Sequence, residues 1–167
     1  AEAFVVAFSL PNLFRRFFAE GAFNMAFVPM FSKKLEAGDA PLVFAKDALS
    51  MLGLVLIALN VIALMAMPYL VWLMASGFSG DERFDLTVVF GRIAFPYILF
   101  ISLAALISGV LNSAGKFIAA AAAPILLNLC FIATLFVASW MGWNIGLALA
   151  WSVPLAGIAQ LSFVWVA

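Results

Sequence analysis

Arg15, Arg16 and Glu20 lie about halfway along an apolar run, residues 3–31, that is long enough to cross a bilayer. Charge at that depth is expensive: insertion scales put a central arginine at about +2.5 to +3.5 kcal/mol, so such residues face a bundle interior or a water-filled cavity. Two readings are open. In one, Arg16 and Glu20, a helical turn apart, form a structural ion pair while Arg15 snorkels to a headgroup. In the other, one acid does not neutralise two guanidinium groups, and the surplus positive charge, strongly unfavourable in a dry site, implies an anionic ligand in a cavity. Guanidinium forks match phosphate and carboxylate bidentately, so a phosphorylated or carboxylated substrate is the chemistry this cluster fits.

Turned at 100° per residue, Glu2, Ser9, Asn12, Arg16, Glu20 and Asn24 fall in one sector of roughly 120°, with Arg15 on its flank. The remaining faces carry Phe4, Val5, Phe14, Phe17, Phe18 and Phe27, which suit lipid or neighbouring helices. Pro11 removes one backbone hydrogen bond and is expected to kink the helix just before the arginine pair. Arg92, in GRIAFPYIL, is a weaker candidate, because it lies within about 10 Å of Asp85 along a helix and can reach the interface by snorkelling. Pro96 and Pro124 are expected to kink their helices, and Asn112, Asn128 and Gln160 read as polar side chains that hold helices together.

The elements that carry these residues are membrane helices. Of 167 residues, 68% are hydrophobic and 10% charged, against about 25% charged in a soluble domain. The fold class expected is an all-α polytopic membrane protein with five spans, at 3–31, 48–75, 86–111, 117–140 and 144–167. Their connections, 32–47, 76–85, 112–116 and 141–143, are short, so neighbouring helices must run antiparallel. Lys33, Lys34 and Lys46 lie in the first connection and Lys116 in the third, while the second sets Asp81, Glu82 and Asp85 against Arg83. The positive-inside rule then puts residue 1 on the outer side and residue 167 near the cytoplasm. Tyr69, Trp72, Trp140 and Trp143 sit where aromatic belts are found. The Gly142–Gly146 spacing reads as a tight turn or a helix contact. The chain opens on Ala1 and stops inside an apolar run, so further helices are expected on both sides, an odd number of spans before it.

Histidine is absent and Cys130 is the single cysteine, which excludes an intrachain disulfide and a Cys/His metal site. Cys130 reads as a small packing residue. The loops hold neither clustered acids for Mg²⁺ nor a nucleophile with a base, so neither an enzyme nor a cofactor is expected. The acidic stretch DERFD is interrupted by Arg83 and reads as a solvated face. No basic patch supports nucleic-acid binding.

The core LPNLFRRFFAEGAF at 10–23, followed by AFVPMFS at 26–32, resembles the signature second helix of the MurJ (MviN) lipid II flippase family. RIAFPYILFISLAALISGVLNSAGKF at 92–117 is similar to its fourth helix and the loop after it, with APILLN next at 123–128. The resemblance covers essentially the whole chain, from the family's second helix to its sixth. It implies a MOP/MATE-like bundle of two lobes around a cationic cavity, of which residues 1–167 form part of the N-terminal lobe. It further implies alternating access in the bacterial cytoplasmic (inner) membrane, acting on lipid II, a disaccharide pentapeptide linked to undecaprenyl pyrophosphate. Membrane lipids, and cell-wall synthesis proteins as candidate partners, complete the implied setting. Carried over by position, Arg15 matches a cavity arginine of the family, Arg16 its second arginine, Glu20 the companion acid and Asn12 the polar residue after the kink. Glu2 stands where the family usually has Asp, and Ser9 where a basic residue is common. The helical wheel makes Arg16 the more central arginine, whereas the family emphasises Arg15. The alternatives are a related exporter of another polyprenyl-linked saccharide or a small cation, and a membrane scaffold that transports nothing.

Overall fold

Residues 2–18, 22–75, 77 and 82–167 are described by the computed structural model, with the side chains of 17, 18 and 22–24 set aside. These residues form seven helices: α1 (Glu2–Phe18), α2 (Ala22–Ala37), α3 (Pro41–Met74), α4 (Glu82–Ala94), α5 (Tyr97–Ser113), α6 (Phe117–Met141) and α7 (Ile145–Val166). Among the described residues four stretches are long and apolar enough to cross a membrane: Pro41–Met74, Glu82–Ser113, Phe117–Met141 and Ile145–Val166. The first expected span corresponds to α1 and α2, which flank residues 19–21 outside the described set. Helix α1 continues through Pro11.

Local chemistry sets the helix ends. The connection expected over 32–47 is confined to residues 38–40, because α3 starts at Pro41 rather than near residue 48. Gly38 and Ala40 take left-handed φ values of 67° and 42°, and Pro41, with its fixed φ, occupies the first helical turn, where its missing N–H costs nothing. Hydropathy had marked where charge begins, but charged residues continue a helix past the bilayer: 34 residues of α3 extend about 50 Å, well beyond the ~30 Å hydrocarbon core. Lys34 donates to Asp39 at 2.6 Å across this turn. That hydrogen bond and charge hold the Asp39 carboxyl below its usual range, so the contact is complete near neutral pH and is lost only as pH falls through the lowered value.

Pro96 interrupts the third span as expected, with Phe95 and Pro96 forming a turn between α4 and α5. Pro124 stays within α6. At the α6–α7 hairpin Gly142 adopts a left-handed φ of 69° and closes α6. Asn144 then caps α7, its Oδ1 accepting from the Leu147 N–H at 3.1 Å. Gly146 is a helix contact: a Cβ there meets the Phe90 ring at 2.9 Å.

Lipid offers no hydrophobic drive for helix association, so the packing rests on close approach and internal polar contacts. Helix α1 lies against α4, and α7 packs along both α5 and α6. Leu10, Phe27, Phe31, Leu56, Met67, Phe95 and Leu106 belong to the main buried cluster. Helix α6 shows most of its surface outward, with Ile118, Phe136 and Trp140 almost fully exposed. Contacts define the two ends of the bundle. Ser32 bonds Ser113, and Lys116 bonds the Ala167 carbonyl, at the basic end. Arg83 pairs with Glu2 at the opposite end.

Candidate functional site

Arg15 is half-buried on α1, and its Nε donates to Asn12 Oδ1 at 2.9 Å. The two residues sit three apart on one helix, so the carboxamide fixes the direction of the guanidinium. They open on a cavity of about 280 Å³, whose wall includes Phe8, Tyr97, Pro124, Leu127, Asn128 and Gln160. A second cavity, of about 310 Å³, shares Arg15, Ile101, Pro124 and Gln160 and extends along Ser108, Gly109, Asn112 and Ala120 toward the basic end. Arg15 therefore stands where the two meet. The walls are mainly apolar, and the Arg15 guanidinium, the carboxamides of Asn12, Asn128 and Gln160 and the Ser108 hydroxyl set among them can accept an anionic or hydroxylated group.

Gln160 holds the walls together. It is 1% exposed, its Nε2 donates to the Ala123 carbonyl at 2.9 Å, and its Oε1 accepts from the Tyr97 hydroxyl at 3.3 Å. One side chain thus ties α7 to α6 and to α5, the bridging role its sequence implied. Replacing Gln160 by leucine is expected to lower stability by about 1–2 kcal/mol, since the Tyr97 hydroxyl loses this partner inside the bundle. Thermal unfolding of the full-length protein in detergent checks the value.

The other sequence candidates are placed differently. Arg16 is exposed, makes no hydrogen bond or ion pair with a described residue, and lines neither cavity. Glu20 and Asn24 lie outside the residues whose side chains are described. Ser9 turns its hydroxyl onto the Val5 carbonyl of its own helix at 2.8 Å. Glu2 pairs with Arg83 at 2.9 Å and joins α1 to α4 on the exposed end. Arg92 donates through Nε to the Leu64 carbonyl of α3 at 3.3 Å. Pro68 explains that acceptor: four residues on, it has no N–H to give Leu64, so the guanidinium completes a carbonyl the proline leaves open. Arg92→Ala is accordingly expected to cost about 1 kcal/mol of stability, measurable by thermal unfolding.

Tyr97 and Ser108 were not singled out in the sequence. The available signal was spacing, because Tyr97, Ile101, Ala104, Ser108 and Asn112 recur at intervals of three and four and share one face of α5. Among the described residues no group of His, Cys, Asp or Glu is arranged to hold a metal ion. A groove of about 610 Å³ between α6 and α7 is lined by Trp143, Leu147, Trp151 and Leu155 without a charged residue, so it suits acyl chains rather than a headgroup.

The family profile described as "Lipid II flippase MurJ" matches residues 1–167. The chain belongs to the MurJ family. A probable lipid II flippase MurJ of Rhizobium tropici is 47% identical, over 99% of this chain and 32% of its own length. One from Rhizobium meliloti (strain 1021) is 46% identical over 100% and 32%. The lipid II flippase MurJ of Burkholderia cenocepacia is 43% identical over 95% and 31%. The chain thus spans about a third of the length of these curated relatives. Membership in MurJ, together with four apolar helices of spanning length, makes this a multi-pass membrane protein.

Proposed function

We propose that these residues are part of the N-terminal lobe of a two-lobe, MOP-type lipid II flippase that works by alternating access in the bacterial cytoplasmic membrane. In this reading α1 and α2 together make a fifth span, residue 1 faces outward, and residue 167 lies near the cytoplasm. The lysines gathered at one end of the bundle support that orientation. The observation that carries the reading is Arg15, half-buried and held by Asn12 beside a cavity that the carboxamides of Asn128 and Gln160 also line. Its guanidinium receives the pyrophosphate of lipid II, with Arg16 and Glu20 adjusting local charge, while the undecaprenyl tail stays in lipid.

The test is transport by the full-length protein in liposomes loaded with lipid II or, separately, with a different saccharide on undecaprenyl pyrophosphate. Faster transbilayer movement of lipid II than of the second lipid supports the assignment. Movement of the second lipid alone transfers the fold to another cargo, and movement of neither leaves the scaffold reading.

A further inference from the structure

Helices α6 and α7, joined by the tight turn at Gly142, leave an open groove of about 610 Å³ along their seam. Ala133 and Val137 of α6 form one wall, Leu147, Trp151 and Leu155 of α7 the other, each set spaced four residues apart, and the small Ala148 lies between them. No charged side chain lines it. The Ser152 hydroxyl is turned onto the Leu149 carbonyl of its own helix at 2.7 Å, so it presents no free donor to the groove. From Asn144 to Leu155 the groove follows α7 for about 17 Å at ~1.5 Å per residue, roughly half of the ~30 Å hydrocarbon core. It therefore belongs to one leaflet, the one at the Trp143 end.

Its size says what fits. The volume divided by that length gives a mean cross-section of roughly 36 Å². An α-helix about 10 Å across takes roughly 80 Å² and does not enter. Hydrocarbon chains, in contact at about 4–4.5 Å, take roughly 20 Å² each, so the groove admits one or two of them. Its mouth, about 6 Å by 17 Å, offers roughly 100 Å², far below the ~800 Å² per partner that a stable protein interface buries. Where the groove begins, the exposed Trp143 indole N–H and the Asn144 carboxamide N–H groups donate to no described residue. They match the ester and phosphate oxygens of a glycerophospholipid, which only accept, at the depth where tryptophan is favoured. We propose that this groove is a binding site for a membrane glycerophospholipid, its acyl chains lying between α6 and α7 past Trp151 to Leu155 and its ester oxygens accepting from Trp143 and Asn144. The bound lipid steadies α6, which packs mainly on α7 and otherwise faces outward. The site holds whatever the cargo is, so it stands or falls separately from lipid II transport.

The experiment places the full-length protein in phosphatidylethanolamine and phosphatidylglycerol vesicles that contain a trace of phosphatidylethanolamine with a diazirine midway along one acyl chain. After illumination, mass spectrometry of the digested protein maps the lipid adducts. Phe136 of α6 and Leu73 of α3, outward-facing at the same end of the bundle, report ordinary boundary lipid. Adducts on Leu147, Trp151 and Leu155 are expected to exceed those on Phe136 and Leu73 by about fivefold, equivalent to about 1 kcal/mol of preference. Ala133→Trp fills the groove from its exposed wall and is expected to remove that excess while labelling at Phe136 and Leu73 stays unchanged. Equal labelling of the groove and the two outward positions overturns the site, leaving boundary lipid alone. Labelling elsewhere with none in the groove also overturns it and shows the groove to be covered by protein. An undiminished excess in a correctly inserted Ala133→Trp protein places the chain outside the groove and overturns the assignment as well. Should Ala133→Trp fail to insert, the ratio measured on the parent protein decides.

Discussion

Arg15→Ala in the full-length protein is expected to lower lipid II export by about ten- to a hundredfold. A loss of that size corresponds to a charge-assisted hydrogen bond to phosphate, worth about 1.5–3 kcal/mol, in a position that Asn12 orients and the bundle partly shields. Arg15→Lys keeps the charge but loses the planar fork, so an intermediate rate is expected. Arg16→Ala should cost less, because Arg16 is exposed and lines neither cavity. Export rates of the three variants, normalised to the amount of protein inserted, give the comparison. A larger loss from Arg16→Ala than from Arg15→Ala moves headgroup binding onto the exposed face of α1.

The second large effect is expected at Gly157, and it is one of assembly. A Cβ at this position meets the Tyr97 ring at 2.8 Å and the Phe100 Cβ at 3.0 Å. Helix α7 approaches α5 that closely because no side chain intervenes, the usual device of helices that cannot rely on hydrophobic drive. Gly157→Val adds three carbons to the seam and must push the helices apart, at a cost of about 3 kcal/mol. Displacing Tyr97 also pulls its hydroxyl away from Gln160, so the wall of the Arg15 cavity shifts with it. The expected result is a protein that unfolds at lower temperature in detergent and exports poorly. Unchanged unfolding of Gly157→Val shows that the α5–α7 seam is looser than these distances require.

Much of the fold was legible because hydropathy reports depth in a bilayer. The spans around α6 and α7 were placed within a residue or two, and the Gly142 turn between them was evident from its local chemistry. Helix ends outside the hydrocarbon were not legible in this way. Lys46 and Asp47 look like loop in a hydropathy profile, yet they continue α3, whose start is set by Pro41.

At the site, the stripe on α1 singled out the helix that carries Arg15, but a wheel drawn for one helix does not know where its neighbours lie. Arg16 looked central on that wheel, whereas α5 and α6 approach the flank and make Arg15 the residue that lines the cavities. Arg92 was ambiguous for a related reason. Its partner is a backbone carbonyl on another helix, exposed by a proline four residues away, and no pairing of side chains in the sequence announces it. Gln160 was recognisable as a bridge from its polarity alone, but Tyr97 and Ala123 as its partners required the packing.

The central claim is that the full-length protein carries lipid II outward, and the most direct measurement is lipid II on the outer face of cells whose own flippase has been depleted. Cells carrying the intact full-length protein are expected to regain externally accessible lipid II, and cells carrying the Arg15→Ala, Arg16→Ala double variant are expected not to. Absence of external lipid II with the intact protein fully inserted contradicts the assignment, and recovery with the double variant contradicts the role given to the arginines.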